Sequence, residues 1–164
     1  MRGLFIVIPD GVALVVCAIA VLTDMRRLRI PNRLTFTAAA FGFALNGVLG
    51  LVAGGASGAL HALIGSLLGA ALGLLVFGLP AAIDLVGMGD VKLMIALGAL
   101  IRWPLALPLA LYVAVSGGLV ALGYMILAGR STAHRMPYGL AIAIGCTWAI
   151  ASRCIVTLRL LDIG

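Results

Sequence analysis

The sequence predicts an all-α, polytopic membrane protein of about six transmembrane helices in one bundle, and three observations carry that prediction. Hydrophobic side chains make up 64% of the 164 residues and charged ones only 10%, against about 25% charged in a soluble domain. Mean hydropathy is +1.27. Apolar runs recur at lengths near the ~20 residues that cross about 30 Å of hydrocarbon. The length fits a single transmembrane domain, residues 1–164, with no room for a separate soluble unit.

The net charge of +6 arises from 11 basic residues against five Asp and no Glu. Arg26, Arg27, Arg29 and Arg33 crowd one short loop. Nucleic-acid binding would require a broad basic face, whereas arginines beside spans mark a cytoplasmic loop under the positive-inside rule, so no nucleic-acid partner is expected. Cys17, Cys146 and Cys154 form no C-x-x-C pair and read as packing residues, so neither a disulfide framework nor a metal site is implied.

Taken in order, Leu4 to Thr23 is the first expected span, with Pro9 and Asp10 near its outer end. The four arginines that follow resist translocation, so it reads as a span and not as a cleaved signal segment. Asp24 arrives at its inner end. Ile30 precedes Pro31 and is thereby biased away from helix, which ends the first element before the second opens. Leu34 to Ala53 is the second span, Gly54 to Gly58 an uncharged outer turn, and Ala59 to Leu79 the third. Gly65, Gly69 and Gly73 form a small-residue stripe suited to close helix packing. His61, alone near the outer end, reads as an interfacial side chain.

Leu93 to Ile101 is too short to cross on its own and must begin near Asp90 to come close. Arg102 and Trp103 anchor its outer end. Leu105 to Ala128 is the fifth span, a basic inner loop with Arg130, His134 and Arg135 follows, and Pro137 to Ser152 is the sixth. The tail from Arg153 onward is expected outside. With both termini outside, three inner loops hold seven of the 11 basic residues.

The chemistry concentrates in Gly87, Met88, Gly89, Asp90, Val91 and Lys92. An ionised acid near hydrocarbon costs about 2.5–3.5 kcal/mol on translocon scales, so its presence asks for a function. The expected topology brings Asp24, 66 positions upstream, to the same face at similar depth. Two carboxylates held together where water is scarce cannot both ionise easily and titrate as a coupled pair. This is the arrangement with which aspartic proteases polarise a carbonyl and activate water. Gly87 and Gly89 would permit unusual backbone angles and the approach of an extended substrate strand.

Spacing alone leaves two alternatives open. Asp24 could pair with Arg27 or Lys92 while Asp90 caps its helix, giving ordinary interfacial charges in a non-enzymatic assembly component. The same acids could also serve an ion or proton path in a small transporter. Asp84 reads as a loop acid or local cap, and Asp10 and Asp162 fall on the outer side, away from the pair.

Three segments resemble the type IV prepilin peptidases, a family within the GxGD membrane aspartyl proteases. Asp24 to Thr35 is similar to an aspartate followed by a basic stretch and I-P-N-x-L-T. Gly87 to Leu93 matches G-x-G-D-V-K-L in full, and Pro137 to Ala143 is similar to P-Y-G-x-A-I-A at the opening of the last helix. The resemblance implies that Asp24 and Asp90 are catalytic, that Gly87, Gly89 and Lys92 support them, and that no cofactor or metal takes part. It further implies a pilin-like precursor as substrate, cut just before its hydrophobic helix at the cytoplasmic face of a bacterial inner membrane. Arg26, Arg27, Pro137, Tyr138 and Gly139 are candidate substrate or lipid contacts. The paired cysteines of the longer, methylating members are missing, which implies peptidase activity without methyltransferase activity. The compact form resembles the peptidases of tight-adherence pili, with the archaeal preflagellin peptidases as the alternative.

Overall fold

A computed structural model describes residues 4–27, 30–83, 86–128 and 138–162. Its elements are helices α1 (Leu4–Arg27), α2 (Asn32–Ala82), α3 (Met88–Ile101), α4 (Ala106–Ala128) and α5 (Tyr138–Asp162). Among the described residues no strand occurs, and α1, α2 and α5 are long and apolar enough to cross a membrane. Length and composition therefore establish three membrane-length helices, fewer than the six crossings expected. Many large side chains on the outer surface are apolar, among them Leu22, Leu51, Leu67, Leu111 and Ile144. An outer surface this greasy suits a lipid environment.

The 51 residues of α2 contain both the second and third expected runs. The helix is broken at Gly54 (φ −151°) and Gly55 (φ +64°), and only the second needs the left-handed region that glycine adopts without strain. The chain reverses there, so residues 32–53 and 56–82 are antiparallel arms in backbone contact where Gly50 meets Gly58. The turn is thus tighter than the Gly54–Gly58 loop the sequence suggests, and Ala56, Ser57 and Gly58 already belong to the second arm. That arm also continues through Pro80 to Ala82; a proline two residues from a helix end removes only one backbone bond.

At the centre lies α3. Its Leu93, Met94, Leu97 and Leu100 are completely or almost completely buried, yet with 14 residues it is only about 21 Å long. Close backbone approach fixes it. A methyl at Gly73 would come within 2.5 Å of the Met94 carbonyl, Gly69 and Gly98 touch directly, and Gly42 presses on Leu100. The small-residue stripe is therefore the α2–α3 contact surface. Asn46, fully buried, turns its side-chain amide nitrogen toward the last α3 carbonyls, Ala99 (2.9 Å) and Leu100 (3.0 Å), and toward Ser66 Oγ (3.0 Å). A helix that stops inside a bundle leaves its final carbonyls without partners, and Asn46 supplies them from the neighbouring arm.

Two expected boundaries change. α1 runs past Asp24 to Arg27, and α5 runs through Arg153 to Asp162 instead of stopping at Ser152. Arg153 is thus a helical residue and not part of an outer tail. It forms an ion pair with Asp10 of α1, both side chains mostly shielded. The hydroxyls of Thr37 and Thr147 donate to carbonyls one turn back, at 2.6 and 2.8 Å, the usual way a helix hides a hydroxyl in an apolar setting. On α4, the Ser116 hydroxyl reaches the Ala141 carbonyl of α5 at 2.7 Å. Tyr112 and Trp148 stack between the same two helices with centroids 5.5 Å apart.

Candidate active site

Four helix ends converge at one end of the bundle: the C-terminus of α1 and the N-termini of α2, α3 and α5. Asp24 is in the last turn of α1 and Asp90 in the first turn of α3, and both are buried, at 7% and 8% exposure. Asp90 lies close enough to Asp24 for its carboxyl to feel the Asp24 charge.

Each acid is seated by a glycine. The backbone N–H of Gly139 donates to Asp24 Oδ2 at 3.0 Å, one of the amides left without a partner at a helix start and suited to an anion. A methyl at Gly139 would lie 2.8 Å from that oxygen, so only glycine admits the carboxylate there. Gly87 precedes α3 with φ −69° and ψ 142°, and a methyl on it would lie 3.0 Å from Asp90 Oδ2. Asp90 N–H and Val91 N–H both donate to the Gly87 carbonyl. Asp90 is the third residue of the helix, not its cap, and benefits from the helix dipole. Gly89 lies inside α3, where a methyl would sit 3.4 Å from Ile30 Cβ. The unusual backbone angles expected of Gly87 and Gly89 are not found. Gly87 is short of space instead, and at Gly89 a methyl would make only an ordinary contact.

Lys92 neither pairs with Asp24 nor reaches outward freely. Its Nζ donates to Asn32 Oδ1 at 2.9 Å and stands 5.9 Å from the centre of the Phe36 ring, tying the first turn of α3 to the first turn of α2. Arg26 is exposed at the same end. The Arg27 side chain, Pro137 and Asp84 lie outside the described residues. Tyr138 opens α5 beside Gly139, with its hydroxyl against Gly117 of α4, where a methyl would come within 2.5 Å. The Tyr138 hydroxyl also feels the charge of Asp90. His61, far from this end, is exposed and bonds the Ser57 carbonyl at 2.8 Å.

Ile30, Asn32 and Ser116 carry no site role in the sequence reading, although Ile30 and Asn32 stand in the quoted I-P-N segment, whereas Gly117, legible with Gly118 as a flexible or closely packed point of the fifth span, is the closely packed one. Ile30 backs Gly89, Asn32 holds Lys92, and Ser116 and Gly117 seat α5 on α4. A groove lined by Ile101, Pro108, Tyr112 and Arg153 lies at the opposite end of the bundle and touches neither aspartate.

An all-helical bundle with membrane-length helices and two buried, interacting carboxylates at one end defines a class, the integral membrane proteins with an acidic site inside the bundle. Residues 11–122 match the model of the type IV leader peptidase family, and the chain belongs to that family. It is accordingly a peptidase, a hydrolase of the membrane. The matched region includes Asp24 and Asp90 and ends before Tyr138 and Gly139. No curated protein and no solved structure matches the chain.

Proposed function

We propose that this single-domain peptidase is an aspartyl endopeptidase that removes the short basic leader of a pilin-like precursor, with Asp24 and Asp90 acting together on water. The observation that carries the reading is the meeting of two buried acids from distant helices at one end of the bundle, each with a glycine reserved for its carboxylate. Ordinary interfacial charges would not need such seats.

The mechanism follows from the surroundings of each acid. Two neighbouring carboxylates with little water share one proton. Asp24, which accepts an N–H at the start of α5, is the better supported as the anion, so it takes the proton of the attacking water. Asp90 carries the shared proton and donates a hydrogen bond to the scissile carbonyl. Water oxygen bonds to the carbonyl carbon, giving a tetrahedral diol. Transfer of a proton to the amide nitrogen then lets the C–N bond break, releasing a new carboxylate and a new amine. No cofactor enters this scheme.

The site end is assigned to the cytoplasmic face of a bacterial inner membrane, with six crossings: two from the arms of α2 and one from each other helix. Arg26 and Arg27 then sit at the level of anionic headgroups, which attract basic residues by about 1 kcal/mol each. The apolar helix of the precursor lies against the lipid-facing helices, leaving the bond after its leader at the dyad.

The test is cleavage of a pilin-like precursor by the reconstituted protein. Asp24→Asn and Asp90→Asn should each abolish cleavage while Asp84→Asn cleaves normally. Normal cleavage by either dyad variant excludes the reading and returns the pair to a structural or transport role.

A further inference from the structure

α1 and α5 run antiparallel, and three contacts fall on one seam: Asp10 with Arg153, Cys17 with Cys146, and Asp24 with Gly139. Successive contacts are seven residues apart on both helices, the spacing at which a helix returns to the same face after two turns. Between them, Ala13 and Ala20 of α1 and Ile142 of α5 are fully buried. The charge pair therefore stands at one end of the seam and the aspartate–amide contact at the other, separated by 14 residues on each helix, about 21 Å.

A seam of alanine, cysteine and glycine packs closely but discriminates poorly between registers, because a slip of seven residues again sets small residues against small residues. A shielded charge pair does discriminate. After such a slip, Asp10 would stand opposite Cys146, or Arg153 opposite Cys17, and a shielded charge would lose its partner. Fixing register is the best-attested use of a buried ion pair.

We propose that Asp10 and Arg153 are positioning residues that set the register of α1 against α5 and so place the Asp24 carboxylate under the Gly139 amide. The inference rests on the proposed dyad only for its catalytic consequence. The register itself has an independent reporter, because Cys17 and Cys146 lie in thiol–thiol contact midway along the seam.

The experiment uses the full chain in membranes with exposed Cys154 replaced by serine. Iodine, an apolar oxidant, takes two electrons from the two thiols, releasing two protons and two iodide ions as the Cys17–Cys146 disulfide forms. Asp10→Asn and Arg153→Gln should each slow this cross-link and lower precursor cleavage by about 10- to 100-fold, the scale of a misplaced catalytic group. The charge swap D10R with R153D should recover most of both. Unchanged cross-linking in the single variants, or no recovery in the swap, overturns the proposal. If the unmodified chain cuts no precursor but cross-linking is lost and recovered as described, the register assignment stands and the protease reading fails.

Discussion

The glycines around the site divide by how much space each has. A methyl at Gly139 would press on Asp24 Oδ2 at 2.8 Å, whereas one at Gly89 would meet Ile30 Cβ at 3.4 Å, an ordinary contact. Gly139→Ala should therefore displace the Asp24 carboxylate and, if the proposed dyad holds, lower kcat by about 10- to 100-fold, with little change in thermal stability. Gly89→Ala should be the milder change, since alanine is also the better helix residue by up to about 1 kcal/mol. Parallel kcat and melting measurements on the two variants check this order. The sequence draws attention to Asp24 and Asp90 because acids are conspicuous among apolar residues, and to Gly139 through the P-Y-G resemblance; the structure brings the three to one end of the bundle. What it does not convey is the reason for the glycines, since lack of space and freedom of backbone angle require the same residue.

At the scale of the helices, α3 depends on backbone approach more than on side-chain volume. Gly98 and Gly69 touch across the α2–α3 contact, so Gly98→Ala should push the central helix away and cost about 1–3 kcal/mol, as overpacking does. Thermal unfolding in detergent with both chains at equal concentration measures it. The stripe Gly65, Gly69, Gly73 is legible as a packing surface from its spacing alone. Its partner is not, because α3 is a separate segment later in the chain and nothing local marks Gly98 as the complementary residue. Likewise the extension of α5 through Arg153 is hidden from sequence reasoning, which treats a charge after an apolar run as an exit from the membrane. Arg153 lies within the helix, paired there with Asp10. The clue was the matched spacing of acid, cysteine and acid along α1, which becomes visible only once α5 is laid beside it.

For the whole molecule, the ends of α1 and the starts of α2, α3 and α5 gather the site at one end, and that end should face the cytoplasm. Met88 is 63% exposed beside Asp90. A Met88→Cys variant, with the native cysteines replaced by serine, should react with an impermeant maleimide in inverted vesicles and not in intact spheroplasts. Labelling from outside would reverse the assigned orientation. The all-helical character and the shared end of the two acids were legible from hydropathy and from alternation of the spans. The number of crossings was less so, because α2 joins two expected spans through two glycines and α3 is too short to register as a span by itself.

Asp24 and Asp90 are proposed to act as one unit on the scissile bond. Groups that work as a unit lose nearly everything when either is removed, and removing both costs little more. Precursor cleavage rates should therefore be compared for the unmodified chain, Asp24→Asn, Asp90→Asn and the double variant in one reconstituted preparation. Equal residual rates in all three variants are the predicted result; losses that multiply in the double variant would show two independent groups and contradict the dyad.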